Sequence, residues 1–342
     1  MTGQGTVGRA LVAGHVCVDL TPRLTTLPRS APGDLEQVGP LAVSAGGCVS
    51  NTGSALAALG APVQVVGDAG DDALGPVLVQ LLAARGVGTD RIRLLPGRST
   101  SYTIVVQPTG RDRSFWHHVG ANAEFDGSAI DMAAADLLHV GYPTLLPALA
   151  ADGGTGLEVL LRRARAAGLT TSLDLAVLDP GSRAATEDWP ALLERVLPHV
   201  DVATPSVDDV RSTLDPTAGD EPDDLRRTAR LLVEMGVAVA MVTGGSAGAH
   251  LCTAGLDRLA AAGAGIRRDR WSHCDRSAAA PDVPVRTTVG TGDAATAGLL
   301  FGLLAGLDPE PSLDLAMRTA GQVLAGHRID RNISGLTAHW QE

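Results

Sequence analysis

Cysteine is sparse in this sequence: four residues, Cys17, Cys48, Cys252 and Cys274, in a chain of 342. They form no C-x-x-C pair and are too scattered for a disulfide framework, so free thiols in a reducing cytosol are expected. Long apolar runs are missing as well. The stretch that begins at Ala10 is interrupted by Gly14, His15 and Asp19, too soon for a signal peptide or a membrane span, and a cytoplasmic location is expected. There is no basic excess: the formal net charge is −11, which repels nucleic acid and anionic membranes at long range. A nucleotide is not excluded on that ground, because local backbone N–H groups and Mg2+ can hold a triphosphate on an acidic protein. The chain has no internal repeat and no G-x-x-x-x-G-K-[ST] phosphate loop, which sets aside solenoids and P-loop enzymes. Aromatics make up only 3% against 45% hydrophobic residues, so an ordinary globular core must be built largely of Ala, Leu and Val.

The length permits one large α/β domain with an appendage, or two domains. From about Asn51 onward, segments of helical period alternate with short β-branched runs, separated by Gly, Pro or Asp. That is the pattern of βαβ units around a parallel sheet. Residues 55–59 followed by Gly60 read as a helix and its stop, and 62–66 as the next strand. Helices are expected over 74–85, 157–167 and 223–234, and strands over 169–173, 200–204 and 237–243, the last apolar enough to be central. Residues 294–305 are apolar nearly all round, which predicts a helix buried inside the domain. Two stretches, 16–45 and 101–118, alternate like antiparallel strands with polar turns at 30–34 and 108–112. They are expected to form a small sheet that covers the main body as a lid, the whole chain 1–342 being one domain. Residues 267–282 read as a solvated insertion whose arginines are surface charges.

The sharpest local signal is Thr288-Val289-Gly290-Thr291-Gly292-Asp293-Ala294, a glycine-rich turn running into the apolar helix. Glycines let a ligand approach the backbone, and the N–H groups of a helix start can hold a phosphoryl group's negative charge. A carboxylate at the same place can accept a proton from an alcohol. The same residues would also serve as a plain turn with Asp293 as a favourable N-terminal helix charge. Gly290-x-Gly292-x-x-Ala295 matches the dinucleotide pattern too, but its acidic partner, Asp314, falls in a predicted helix instead of at a strand end. His117 and His118 have no third ligand at metal spacing and read as a lid or surface pair.

Thr287 to Asp293 resembles the D-T-x-G-A-G-D signature of the ribokinase-like (PfkB) carbohydrate kinase family. Further segments are similar to that family in the right order across nearly the whole chain. Gly14 with Asp19 looks like its G-x-x-x-x-D, Gly46-Gly47-Cys48-Val49-Ser50-Asn51 like its G-G-x-x-x-N, residues 66–75 like its V-G-x-x-G-x-D-x-x-G, and Val242 to Gly248 like its V-T-x-G-x-x-G. Gly120-Ala121-Asn122 also resembles a family segment, with no contact assigned to Asn122 from it.

The resemblance implies a doubly wound, mainly parallel α/β sheet with a small β-sheet lid, and transfer of the γ-phosphoryl group of ATP to a sugar hydroxyl. Asp293 would be the base and Gly290, Thr291 and Gly292 the anion hole. Asp19, Gly46, Gly47 and Asn51 would bind the sugar, and Ser206, Thr243, Gly245 and Gly248 would line the nucleotide. Two departures stand out. Thr287 replaces the leading Asp of the signature, where some members place a monovalent cation, so activation by such a cation stays open. The family's N-x-x-E appears as Ser206-Val207-Asp208-Asp209, in which Asp209 keeps a carboxylate for ordering Mg2+ through water, with a shorter reach. A nucleoside kinase of the same fold is the nearest alternative, against which the low aromatic content counts. A non-catalytic sugar- or nucleotide-binding regulator is the other. The partners expected are a small-molecule sugar and, through exposed lid edges, a second copy of the chain, with no nucleic acid and no membrane.

Overall fold

The computed structural model describes residues 7–29, 31–110, 113–263 and 265–330. Thirteen strands form two sheets among these residues: β1 (Ala10–Gly14), β2 (Cys17–Pro22), β3 (Leu41–Gly46), β4 (Val63–Gly70), β5 (Gly88–Leu95), β6 (Tyr102–Val106), β7 (Ser114–His118), β8 (Leu137–Gly141), β9 (Thr170–Asp174), β10 (Val202–Ala203), β11 (Val239–Thr243), β12 (Ala249–Thr253) and β13 (Asp275–Ala278). The helices are α1 (Gly47–Leu59), α2 (Leu74–Ala83), α3 (Pro147–Ala166), α4 (Trp189–Val196), α5 (Val207–Thr213), α6 (Pro222–Glu234), α7 (Leu256–Ala260), α8 (Arg268–Trp271), α9 (Thr291–Leu304) and α10 (Pro309–Leu324).

The large sheet runs β13-β12-β11-β10-β9-β8-β1-β4-β5 and is parallel from β5 to β11, with β12 and β13 antiparallel at one edge. Parallel strands covered by helices on both faces are buried on both sides. Every residue of β1, β8 and β9 is accordingly buried. The strand order turns at β1, which lies between β4 and β8. In open α/β sheets ligands gather at such a switch point, beyond the C-terminal strand ends. At that end β1 and β8 come very close, since a Cβ on Gly14 would overlap the carbonyl oxygen of Gly141.

The helix expected over 294–305 starts three residues earlier and is buried as anticipated. Its packing needs glycine: a Cβ on Gly298 would stand 2.6 Å from the Cα of Ala316 in α10. The helix expected over 157–167 is the second part of α3, whose backbone turns out of helical geometry between Ala151 and Gly154.

The small sheet has the order β3-β2-β6-β7. Its β2–β3 and β6–β7 pairs are antiparallel as the alternation suggests, but the central β2–β6 seam is parallel. The reason is connectivity. β2 continues from β1 and β6 follows β5, strands that run the same way in the large sheet, so both leave it in one direction. Of the two polar turns expected in this region, Ser30, Arg111 and Asp112 lie outside the described residues.

Residues 267–282 are not a solvated insertion. Arg267, Arg268 and Arg270 are exposed, but Trp271 is 1% exposed and donates to the carbonyl of Leu307 at 3.1 Å. The strand β13 then closes the edge of the large sheet. Its Asp275 receives Arg226 and Arg230 from α6, which holds the carboxyl down to about 2 against the cost of burial. Charge composition hid an edge strand here.

Candidate active site

Two helix starts converge beyond the C-terminal end of β1. α1 begins at Gly47, whose φ of 81° lets the chain turn against residue 15, where a Cβ would stand 2.6 Å from the His15 carbonyl oxygen. α9 begins after Gly290, at φ 75°. The packing of α1 on α9 brings Asn51 and Thr52 onto Asp293. Asn51 Nδ2 donates to one carboxylate oxygen at 3.1 Å and Thr52 Oγ1 to the other at 3.0 Å. Tyr142, held at a positive φ of 63° directly after β8, also donates to Asp293. A non-glycine residue in that conformation is uncommon and is retained where the surroundings require it.

Asp293 is 3% exposed. Burial raises its carboxyl above the usual carboxylate range, and the hydrogen bonds from Asn51, Tyr142 and Thr52 with the charge of Arg85 work against that rise. Arg85 reaches from the end of α2 to Ser50 Oγ at 2.7 Å and to Asn51 Oδ1 at 3.2 Å. With its oxygen on Arg85, the Asn51 amide presents its NH2 to Asp293.

Asp19 stands at the same cleft, on the face of the small sheet where Asp19, Ser44, Thr103 and His117 lie in one cross-strand row. Burial lifts its carboxyl to about 6, opposed by the Cys17 thiol at 3.4 Å and by Arg85. Gly46 is glycine because a Cβ there would overlap the Asp19 carboxylate. The small sheet also reaches the glycine-rich turn itself. Arg113 donates to Thr288 Oγ1 while its guanidinium lies 5.4 Å from the Phe115 ring centre.

The residues expected on the nucleotide side form a second group, at the ends of β10 and β11. Ser206 and Thr243 are paired by a parallel bridge. Ser206 caps α5 in a reciprocal box with Asp209: the Asp209 carboxylate takes the Ser206 N–H at 2.8 Å and its hydroxyl at 2.6 Å. One oxygen of Asp209 is thus committed to the helix start. Burial raises the Asp209 carboxyl to about 7 despite the Ser206 bonds. Gly245 lies open, at φ 54°, whereas Gly248 is required by fold packing, since a Cβ there would overlap the carbonyl of Ala278 in β13. Of the acidic turn after β4, Asp72 caps the start of α2 through the Leu74 and Gly75 N–H groups.

Asp174, at the end of β9, was not singled out from the sequence. Burial, and then the charges of Asp209 and Asp293, push its carboxyl well above the usual range. Its position at the C-terminal end of an apolar parallel strand was the available signal. For Thr52 the only signal was adjacency to Asn51. For Tyr142, Arg85 and His15 there was none, because their placement depends on contacts distant in sequence.

The arrangement can hold an anion at the start of α9, where first-turn N–H groups lack helical acceptors and the Thr291 hydroxyl is buried without a partner. Beside that spot Asp293 can take a proton. A helix-covered, mainly parallel sheet with a second sheet over its switch point and a buried carboxylate at a glycine-preceded helix start defines the ribokinase-like class of α/β proteins.

The chain belongs to the pfkB family carbohydrate kinases, whose family model matches residues 8–330. It is an ATP-dependent carbohydrate kinase by that membership. It is similar, at 26% identity over 322 residues, to a 2-dehydro-3-deoxygluconokinase of Thermoproteus tenax, the match covering 92% of this chain and 89% of the relative. Among solved structures it resembles a ribokinase of Cryptococcus neoformans var. grubii in complex with ADP, at a TM-score of 0.68 and 20% identity, covering 97% and 98% of the two chains. It also resembles a nucleoside kinase of Burkholderia thailandensis in complex with inosine, at a TM-score of 0.66 and 20% identity, covering 97% and 94%.

Proposed function

We propose that this kinase transfers the γ-phosphoryl group of ATP to a hydroxyl of a sugar, with Asp293 as the general base. The observation that carries this is the Asp293 carboxylate, buried at the start of α9 with both oxygens oriented by Asn51, Thr52 and Tyr142. In the step proposed, the sugar hydroxyl oxygen attacks the γ-phosphorus in line, its proton passes to Asp293, and ADP leaves. The first-turn N–H groups of α9 and the Thr291 hydroxyl steady the charge on the transferred group. A Mg2+ ion bound with the triphosphate would supply charge neutralisation. Asp209 and Asp174 are the side chains that would face it through water, and their raised carboxyls fit a site relieved by a cation. Ser206, Thr243 and Gly245 line the nucleotide, and Asp19, Gly46, Gly47 and Asn51 the sugar.

The small sheet acts as the lid of a single α/β domain, and its contact from Arg113 to Thr288 supports closure over the cleft. Its outer face carries the row Leu20, Val43, Ile104 and Trp116, with Trp116 58% exposed, and β3 and β7 have open edges. These features support pairing of two copies through the lid. A monomer alone in size-exclusion chromatography would remove that part. No helix among the described residues is long and apolar enough to cross a membrane, and free cysteines support a cytoplasmic location.

The deciding experiment is ADP release from Mg-ATP across pentoses, hexoses, keto-deoxy sugar acids and nucleosides, with Asp293→Asn alongside. Turnover on one class that collapses in the variant supports the proposal. Binding without turnover on every acceptor points to a regulator instead.

A further inference from the structure

His15 is 3% exposed, and neither of its ring nitrogens has a hydrogen-bond partner among the described residues. Buried polar groups in native proteins are almost always paired, so an orphaned imidazole asks for a partner that arrives later. Its neighbours are those of the acceptor cleft. A Cβ on Gly47 would stand 2.6 Å from His15 Nδ1. The His117 ring, from the inner row of the lid, lies 5.0 Å away at 62°, and the Tyr142 ring, whose hydroxyl is bound to Asp293, lies 5.9 Å away.

The chemistry at this point suits an alcohol. Burial, with His117 beside it, holds His15 well below the usual imidazole range, so the His15 ring is neutral; His117 is exposed on the lid, with its Nδ1 hydrogen-bonded to Thr103 Oγ1 at 3.0 Å. A neutral imidazole offers one donor and one acceptor, which matches a hydroxyl. A carboxylate or phosphate can only accept, and it would also face the carboxylates of Asp19 and Asp293. The arginines nearby are already engaged: Arg85 with Ser50 and Asn51, Arg113 with Thr288.

We infer that His15 is an acceptor-binding residue that, with His117 of the lid, clasps a hydroxyl of an uncharged polyol between the floor of the cleft and the small sheet. The inference rests on the kinase activity proposed above.

The test uses the full chain with D-ribose, D-fructose and 2-dehydro-3-deoxy-D-gluconate as probes, comparing wild type, His15→Leu and His15→Asn. On a neutral sugar, His15→Leu is expected to raise the acceptor KM about tenfold, as loss of a buried hydrogen bond would, with the KM for ATP and the Tm unchanged. His15→Asn is expected to recover part of the loss. An unchanged acceptor KM in His15→Leu overturns the inference, and so does turnover confined to the sugar acid. Should wild type turn over none of the probes, or the variants fail to fold, the imidazole 15N resonances of wild type are titrated with D-ribose and D-fructose. A shift of the His15 signal then sustains the inference apart from the kinase activity, and a His15 signal that stays put overturns it.

Discussion

Asn51 and Asp293 are 242 positions apart in the chain, yet the Asn51 amide donates to the Asp293 carboxylate at 3.1 Å. The contact joins the starts of α1 and α9, so the Gly46-Gly47 turn and the glycine-rich turn form one site. The amide cannot rotate freely, because Arg85 occupies its oxygen at 3.2 Å. Four consequences can be measured.

Replacing Asp293 by Asn removes the proposed proton acceptor but keeps a side chain of the same shape. The expected loss in kcat is ~10²–10⁴-fold, the range general base catalysis supplies. Binding of ADP, followed by calorimetry, should persist. A variant with near-normal kcat would take the base role away from Asp293.

Arg85→Met removes the cation that faces Asp19 and Asp293 and helps to keep both ionised. Without it the charged forms of both carboxyls are less favoured, so their pKa values rise. The acid limb of the kcat profile should therefore move to higher pH. A limb that stays in place would show that Arg85 acts on packing alone.

Gly290→Ala forces a Cβ into a backbone at φ 75° and within 3.4 Å of the Asn51 amide. Left-handed backbone costs a non-glycine residue ~1–2 kcal/mol, which should appear as a lower Tm, with a fall in kcat as Asn51 and Asp293 lose register. Gly46→Ala displaces the Asp19 carboxylate instead and should act on the acceptor KM, leaving the KM for ATP alone.

Stability should fall as pH rises through the neutral range. Asp209 is raised to about 7 and Asp19 to about 6, both above the ~3.9 of an unfolded aspartate. In that window the folded state binds more protons than the unfolded one, so its advantage is complete below about pH 4 and is lost as each group ionises. A Tm series from pH 5 to 8 checks this. Asp209→Asn should flatten the part near pH 7, and Mg-ATP should offset the loss in wild type by binding the folded state.

Much of the fold was legible because burial leaves a periodic trace. The apolar run 237–243 became the buried strand β11, and 294–305 became α9, which lies against α1 and α10 on several sides. Composition misled at 267–282, where surface arginines flank a buried Trp271 and a short edge strand whose pairing with β12 is non-local. The parallel seam between β2 and β6 was equally out of reach, since alternation specifies which face a residue takes but not which neighbour a strand finds.

The sequence by itself determined the α/β class, the glycine-preceded helix start that carries Asp293 and the order of the turns around it, because period, glycine and capping chemistry are local properties of the chain. Tertiary structure alone decided that Thr52 and Tyr142 donate to Asp293, that Arg85 holds Asn51, that Asp174 feels the charges of Asp209 and Asp293, and that His15 is buried against His117 with neither ring nitrogen hydrogen-bonded among the described residues. Each of these depends on residues far apart in sequence being packed to within a few ångströms, and the burial that raises their carboxyls or neutralises the His15 imidazole exists only once that packing is complete.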